Sequence, residues 1–450
     1  MTGQTDQETA QALLAAAMQA GADAADALVV ESIALGVGVA DRALEEAERS
    51  ESVDLGLRVL VGQRQACVSA SERTAATITE MAERAVAVAR EAPDDPYCGL
   101  ADPAQLAMGA DAAERALDLA EEGEGPAPDQ LEALAREAED AALGTTGITQ
   151  VEQASANWSR DRITLAATNG LLHRFERTGW AVSASAIAGE GLERERDYAV
   201  EIRRHAADLP AAATVGLRAA ERAVAAQGAR RPPSGAVPVL YDERVASSLI
   251  GHLLGAINGQ AIARGASWAS DRMGEAVLPA GLDLIDDPTI PRGRASRAID
   301  AEGFAAVRRT LVEAGVLQSW VLDLATARQL GLDSTGNARR GTGGPPRPGT
   351  SNTRLTQGQN SRDAMIREMG RGLLVTGLIG SSINPTTGAY SRGANGFWVE
   401  GGEIVHPVNE ITIAGQLPEM LLSLCPANDA DPHKGLSVPS LLVEGLTVGA

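Results

Sequence analysis

The sequence predicts an α+β chain: a mixed α/β amino-terminal domain followed by a β-rich carboxy-terminal domain of sandwich or barrel type. Three observations carry this. Period-two alternation fills residues 27–40, 53–70 and 148–205, interleaved with Ala-rich helical segments. The run GARRPPSGAV breaks that pattern near 228–235 and sets domains over 1–230 and 236–450. Beyond it, short apolar runs alternate with Gly and Asn turns, and one long amphipathic helix stands near their start.

Residues 7–21 read as a helix that stops at Gly21. Ala27–Ala40 reads as paired strands, and ALEEAERSES as a polar connection. Val53, Leu55, Leu57, Val59 and Val61 alternate on one face, and Val61-Gly-Gln-Arg makes a hairpin turn. Ser71–Arg90 reads as a helix capped at Ser71 or Thr74, with acidic helices after it at about 110–122 and 128–143. Residues 148–205 read as four strands with Asn169-Gly170 as a hairpin turn, and Leu209–Gln227 as a helix.

In the carboxy half, the strand PVLY leads into a helix over 243–264, capped by Asp242 and stopped by Gly265. Val245, Leu249, Leu253, Ala256, Ile257 and Gln260 share its apolar face. AAVRRTLVEAGVLQSWVLD reads as a hairpin. Arg339–Gln359 is long and rich in Gly and Pro, which marks a functional or mobile loop. Gly372–Gly380, Gly393–Glu400, Glu403–Pro407, Glu410–Gly415 and Ser440–Val448 read as short strands, and Gln416–Leu424 as a short helix.

Net charge is −21. Residues 1–150 hold 29 Asp/Glu against 9 Arg, while 151–450 hold 31 Asp/Glu against 30 Lys/Arg. The acidity is therefore confined to the first third. It argues against nucleic acid, which requires cations to displace phosphate counterions. Solubility explains it better than steering. Lys434 is the only lysine, so no P-loop exists, and a Schiff base would have to form in a polar turn. Cys67, Cys98 and Cys425 are far apart, as in a reduced chain, and make no Cys-x-x-Cys motif. No apolar run has the length of a membrane span, and the polar start carries no basic signal region. The expected location is the cytoplasm.

The five histidines lack metal spacing. His252 reads as a partly buried core or interface residue, His433 as part of a solvated turn, and His173 and His205 as surface residues. Gly265-Ala-Ser267-Trp-Ala269 fails the nucleophile-elbow pattern at its last glycine. Cys425 reads as a small buried thiol rather than a nucleophile. Asp286-Asp287 before Pro288 reads as a turn. Arg339, Arg340, Arg347 and Arg354 either decorate a solvated loop or clamp a carboxylate such as a peptide terminus.

GHLLGAINGQAIARGASW, IDDPTIPRGRASRAIDAEG, GAYSRGANGFWVEGGEIVHPVNEITIAG and the closing LLVEGLTVGA together resemble the TldE (PmbA) branch of the TldD/TldE metalloprotease family. AGADAADALVVES and SVDLGLRVLVGQRQACVSAS extend the resemblance to the amino half. It implies a TldD/PmbA-like fold and a heterodimer enclosing a peptide-binding chamber. In that pair TldD carries zinc on a His-Glu-x-x-x-His helix with a carboxy-terminal cysteine, and TldE lacks these ligands. Together they trim unfolded peptides, mature certain peptide antibiotics and degrade an antitoxin.

Carried over ungapped, the two metal histidines fall on Ile250 and Gly255 and the glutamate on Gly251, so no metal and no catalytic residue is expected in this chain. Zinc is expected in the TldD-like partner. Extended peptide is best held by an exposed strand edge, which places it near Ala389–Glu400, through Ala389, Tyr390, Ser391 and Arg392, and by loop Thr342–Thr353, through Arg347 and Asn352. Two other readings stand beside it: a peptide-binding or regulatory protein without proteolysis, and an independent hydrolase using residues such as Cys425.

Overall fold

Six antiparallel strands organise the amino half of the computed structural model, which describes residues 5–449. They are β1 (Ala24–Ala40), β2 (Ala43–Val61), β3 (Arg64–Ala70), β4 (Ile148–Ala167), β5 (Leu172–Ala188) and β6 (Glu195–Arg203), ordered β3-β2-β1-β4-β5-β6. Two expectations change here. ALEEAERSES is no connection: Ala43–Ser52 continue β2 and pair with β1 along their length. They are exposed throughout, so their polarity marks an edge strand rather than a loop. Residues 148–205 hold three long strands instead of four. Polar residues such as Asn157 and Ser159 lie within β4, paired to β1 and β5, and end nothing.

The helices of this half are α1 (Asp6–Ala20), α2 (Ala75–Glu91), α3 (Ala110–Leu117), α4 (Pro128–Leu143) and α5 (Ala212–Ala225). Thr74 caps α2 through its side chain, and Gly21 ends α1 at φ 98°. Ala25, Ala27 and Val29 pack with α1 and α2, while Leu35, Val37 and Val39 pack with α4 and α5. All six are odd positions of one strand, so these four helices cover one face of the sheet. α4 and α5 touch closely: a Cβ on Gly216 would lie 1.9 Å from the Ala138 carbonyl oxygen. Asp26 and Arg58 point the other way, toward the carboxy half.

That half is built on a closed ring of strands: β7 (Gly235–Tyr241), β8 (Arg371–Ile383), β9 (Ala389–Glu400), β10 (Glu403–Gln416) and β11 (Leu441–Gly449). The order β10-β9-β8-β7-β11 is closed by β10–β11 pairing, which makes a barrel. The α+β class and the β-rich carboxy domain therefore hold. Glu403–Pro407 and Glu410–Gly415 are one strand. Its register against β9 slips where Val408 and Ile411 face Gly396 and Ala394, and Glu410 there has φ 51°.

The expected helix 243–264 is two helices, α6 (Glu243–Ala256) and α7 (Gly259–Ala263). Asn258 breaks it. Its Oδ1 accepts the Gln260 N–H at 3.0 Å and its Nδ2 donates to Pro348 O at 3.0 Å. The Gly259 N–H is drawn to Val321 O at 2.8 Å. Ala246, Leu249, Ile250 and Leu253 bury one face of α6 in a core shared with Val239, Tyr241, Leu373 and Trp398. Each large apolar side chain buried there is worth roughly 1.5–3 kcal/mol. The segment 339–359 is not solvated as a whole. Short strands Arg347–Pro348 and Thr353–Leu355 anchor it, and Arg340 is buried.

Candidate functional site

α6 runs past the start of β9. Ile250 points into the core with no exposure. Gly251 and Gly255 lie on the outward side, where an added Cβ would meet nothing within 4 Å. Between them His252 is half-buried, its ring edge-on to Tyr390 at 5.9 Å. His252 Nε2 and Ser248 Oγ are both buried without a hydrogen-bond partner. Burial, and then the nearby Arg392 charge, holds the imidazole below its ordinary value, so it is neutral at neutral pH. Tyr241 Oη donates to Tyr390 Oη at 3.5 Å, and burial raises both phenols. Arg392 Nε donates to Gly380 O at 2.9 Å. The patch offers hydrogen bonds and one cation, suited to carbonyl or carboxylate groups.

A catalytic zinc needs about three protein donors and an open position. Ile250 presents hydrocarbon, Gly251 and Gly255 present no side chain, and His252 is a single imidazole. These residues do not fit a zinc site. Among the described residues, no group of three or more His, Cys, Asp or Glu side chains is placed to hold a metal ion.

The structure unites part of the expected peptide surface and scatters the rest. Tyr390 and Arg392 stand beside His252, with Ala389 and Ser391 half-buried next to them. β9 has no free edge, however: β8 and β10 pair with it on both sides from Tyr390 to Glu400. Main-chain recognition along β9 is thereby ruled out, and of the side chains Tyr390 is buried in the core against Tyr241, which leaves Arg392 and His252. Asn352 is buried elsewhere. Its Oδ1 accepts from Ala295 N at 2.9 Å, and its Nδ2 donates to Asp287 O and Ser296 Oγ at 2.9 and 2.8 Å. Those bonds lock a wall rather than meet a ligand. Arg347 is exposed at the border between the two halves.

That border is rich in buried charge, which sequence reasoning missed. Asp26 accepts from Arg58 Nε at 2.5 Å and also pairs with Arg340 of the 339–359 segment. Burial brings Arg340 down to about 10, still protonated at neutral pH. From α8 (Leu324–Leu330), Arg328 donates to the carbonyls of Tyr97, Cys98 and Leu100 at 3.2, 3.2 and 3.0 Å. Asp300 accepts backbone N–H groups of Glu302, Phe304 and Ala338, and Asp323 caps α8 through Thr326. Burial, then Asp300 and Asp323, pushes the Glu302 carboxyl up to about 8.

Other expectations are corrected. His173 and His205 are buried, not on the surface. His173 Nε2 lies 3.3 Å from Glu114, and His205 Nε2 lies 2.9 Å from Asp118 O. Cys425 is exposed rather than buried. Asp286 is no open turn: its carboxylate accepts from Ser351 N, Ser351 Oγ and Asn337 Nδ2 at 2.6, 2.9 and 2.9 Å. No helix among the described residues is long and apolar enough to cross a membrane.

Comparison with known proteins matches all three regions. Residues 25–89 match PmbA/TldA metallopeptidase domain 1, 121–227 its central domain and 234–450 its C-terminal domain. Metalloprotease PmbA of Escherichia coli O157:H7 is 34% identical over 428 residues, covering 95% of this chain and 92% of that one. The Haemophilus influenzae PmbA homolog is 33% identical over 450 residues, covering 98% and 96%. The crystal structure of TldE from Thermococcus kodakarensis shares the fold at TM-score 0.83 and 20% identity, over 98% of this chain and 100% of that one. A solved structure from Bacteroides thetaiotaomicron matches at TM-score 0.88 and 25% identity over 100% of both chains. Matched along nearly its whole length, the chain belongs to the PmbA/TldD metallopeptidase family, in its PmbA (TldE) branch.

Proposed function

We propose that this chain is the non-catalytic subunit of a heterodimeric zinc metallopeptidase that acts on unfolded peptides in the cytoplasm. A TldD-like partner subunit supplies the zinc and the water-activating carboxylate. The observation that carries this reading is α6 itself. The helix is intact and well packed, yet its three positions matched to His-Glu-x-x-x-His are Ile250, Gly251 and Gly255. In this role Arg392 and His252 contribute side-chain contacts to peptide, with Ala389 and Ser391 beside them and Tyr390 buried beneath. Thiol chemistry is not favoured: burial, Glu368 and Glu444 all raise the Cys425 thiol, which keeps it protonated at neutral pH.

The test is metal analysis and peptide cleavage by the chain alone and after mixing with a His-Glu-x-x-x-His homologue from the same organism. The expected result is no stoichiometric zinc and no cleavage alone, with activity and a 1:1 complex on mixing. Stoichiometric zinc with cleavage by the lone chain would overturn the proposal.

A further inference from the structure

A cavity of about 290 Å³ opens between the two halves, away from the α6 patch. The amino half lines it with Arg58, Asp95 and Tyr97, and the carboxy half with Glu302, Asp323 and Arg347. Its size is at the small end of ligand pockets, which run from roughly 300 to 1,000 Å³, so any occupant is small. The buried charges in its wall are Arg58, Glu302 and Asp323, at 4%, 7% and 1% exposure. Arg58 is committed to the protein, and Asp323 is committed through one oxygen only. Arg58 reaches Asp26, Gln65 Oε1 and Gly99 O. Asp323 Oδ1 accepts from Thr326 N and Oγ1 at 2.9 and 2.6 Å.

Glu302 differs. Its Oε2 accepts the Leu324 N–H at 2.8 Å, while its Oε1 has no hydrogen bond. A carboxyl oxygen that reaches a cavity from an otherwise buried side chain, without a protein partner, is free to meet a small ligand there. At the mouth stand two exposed guanidinium groups, Arg264 and Arg347. Guanidinium forks suit carboxylates, and a buried carboxyl suits an ammonium.

We propose that this cavity binds a small zwitterion, a free amino acid or a dipeptide, with its ammonium on Glu302 and its carboxylate on Arg264 and Arg347. The proposal does not depend on the subunit reading. It predicts a proton signature. Glu302 faces Asp300, Asp323 and Arg58, and with burial this environment holds it near 8. An arriving ammonium converts the neutral carboxyl to carboxylate, and the proton leaves for solvent.

The experiment is titration calorimetry of the full chain at pH 7, in two buffers of different ionisation enthalpy. The ligands are alanine, Ala-Ala, N-acetyl-Ala-Ala and Ala-Ala amide. The expected result is binding of alanine or Ala-Ala with release of close to one proton. Capping either end should weaken binding about tenfold. Glu302→Gln should weaken it about tenfold and abolish proton release. The exposed pair Arg264→Ala/Arg347→Ala should erase the preference for a free carboxylate, with melting temperatures confirming that each variant is folded. Alanine binding without Ala-Ala binding names a free amino acid, and the reverse names a dipeptide. Absence of binding by both, equal binding of the capped forms, or proton release that survives Glu302→Gln overturns the proposal.

Discussion

The outward side of α6 and the border between the two halves of the chain are chemical opposites. α6 holds the barrel through Leu249, Ile250 and Leu253 and leaves Gly251 and Gly255 facing open space. The border packs Asp26, Arg58, Glu302, Asp323 and Arg340 out of water. The contrast teaches that a helix can carry bare glycine on its outer face without losing its place. Its stability comes from the buried face, and the outer face is free to be emptied. Buried ions have no such freedom, because each depends on its partner to offset desolvation.

Asp26 is where this contrast breaks most severely. Asp26→Ala leaves two buried guanidinium groups without their shared carboxylate, and should cost about 3–5 kcal/mol in urea unfolding. A loss under about 1 kcal/mol, the range of exposed pairs, would mean that the border charges are no constraint.

Glu302 comes next. Its ordinary value is 4.5 and its folded value about 8. Between these the unfolded chain gives up its proton and the folded chain keeps it. Stability should therefore fall as pH rises from about 4.5 to about 8 and level off above, by an amount on the order of a few kcal/mol. Glu302→Gln should flatten that part of the melting-temperature profile. An unchanged slope in the variant would assign the dependence to other groups.

The smallest effect is expected on α6. Gly251→Ala places a methyl in open space and removes a flexible residue from a helix interior, which should stabilise the chain by about 0.5–1 kcal/mol. Destabilisation in thermal melts would show that the outward face is occupied.

What was legible in the sequence was local. Gly21 as a stop, Thr74 as a cap and Asn169-Gly170 as a turn act through neighbours a few residues away, and so do the alternating residues of β2 from Val53 onward. Tertiary effects were not legible. Asn258 breaks a helix by reaching Pro348, and Gly259 does so by reaching Val321. His173 and His205 are buried by residues of α3 and the turn after it. The border charges come from stretches near 26, 58, 302, 323 and 340, and no spacing rule links them. The exposed part of β2 could not be read as a strand, since alternation marks a strand only where one face is buried.

That same part of β2 has a consequence for behaviour at high concentration. Pairing with β3 begins at Leu55, so Ala43–Asp54 has no further strand on its outer side among the described residues. Open amides on such a margin invite a second copy to add on and seed fibrils. Here the margin carries Glu45, Glu46, Glu48, Glu51 and Asp54 against Arg49 alone. Two molecules approaching along it repel through facing carboxylates, which keeps crowded copies apart until acid neutralises the fringe.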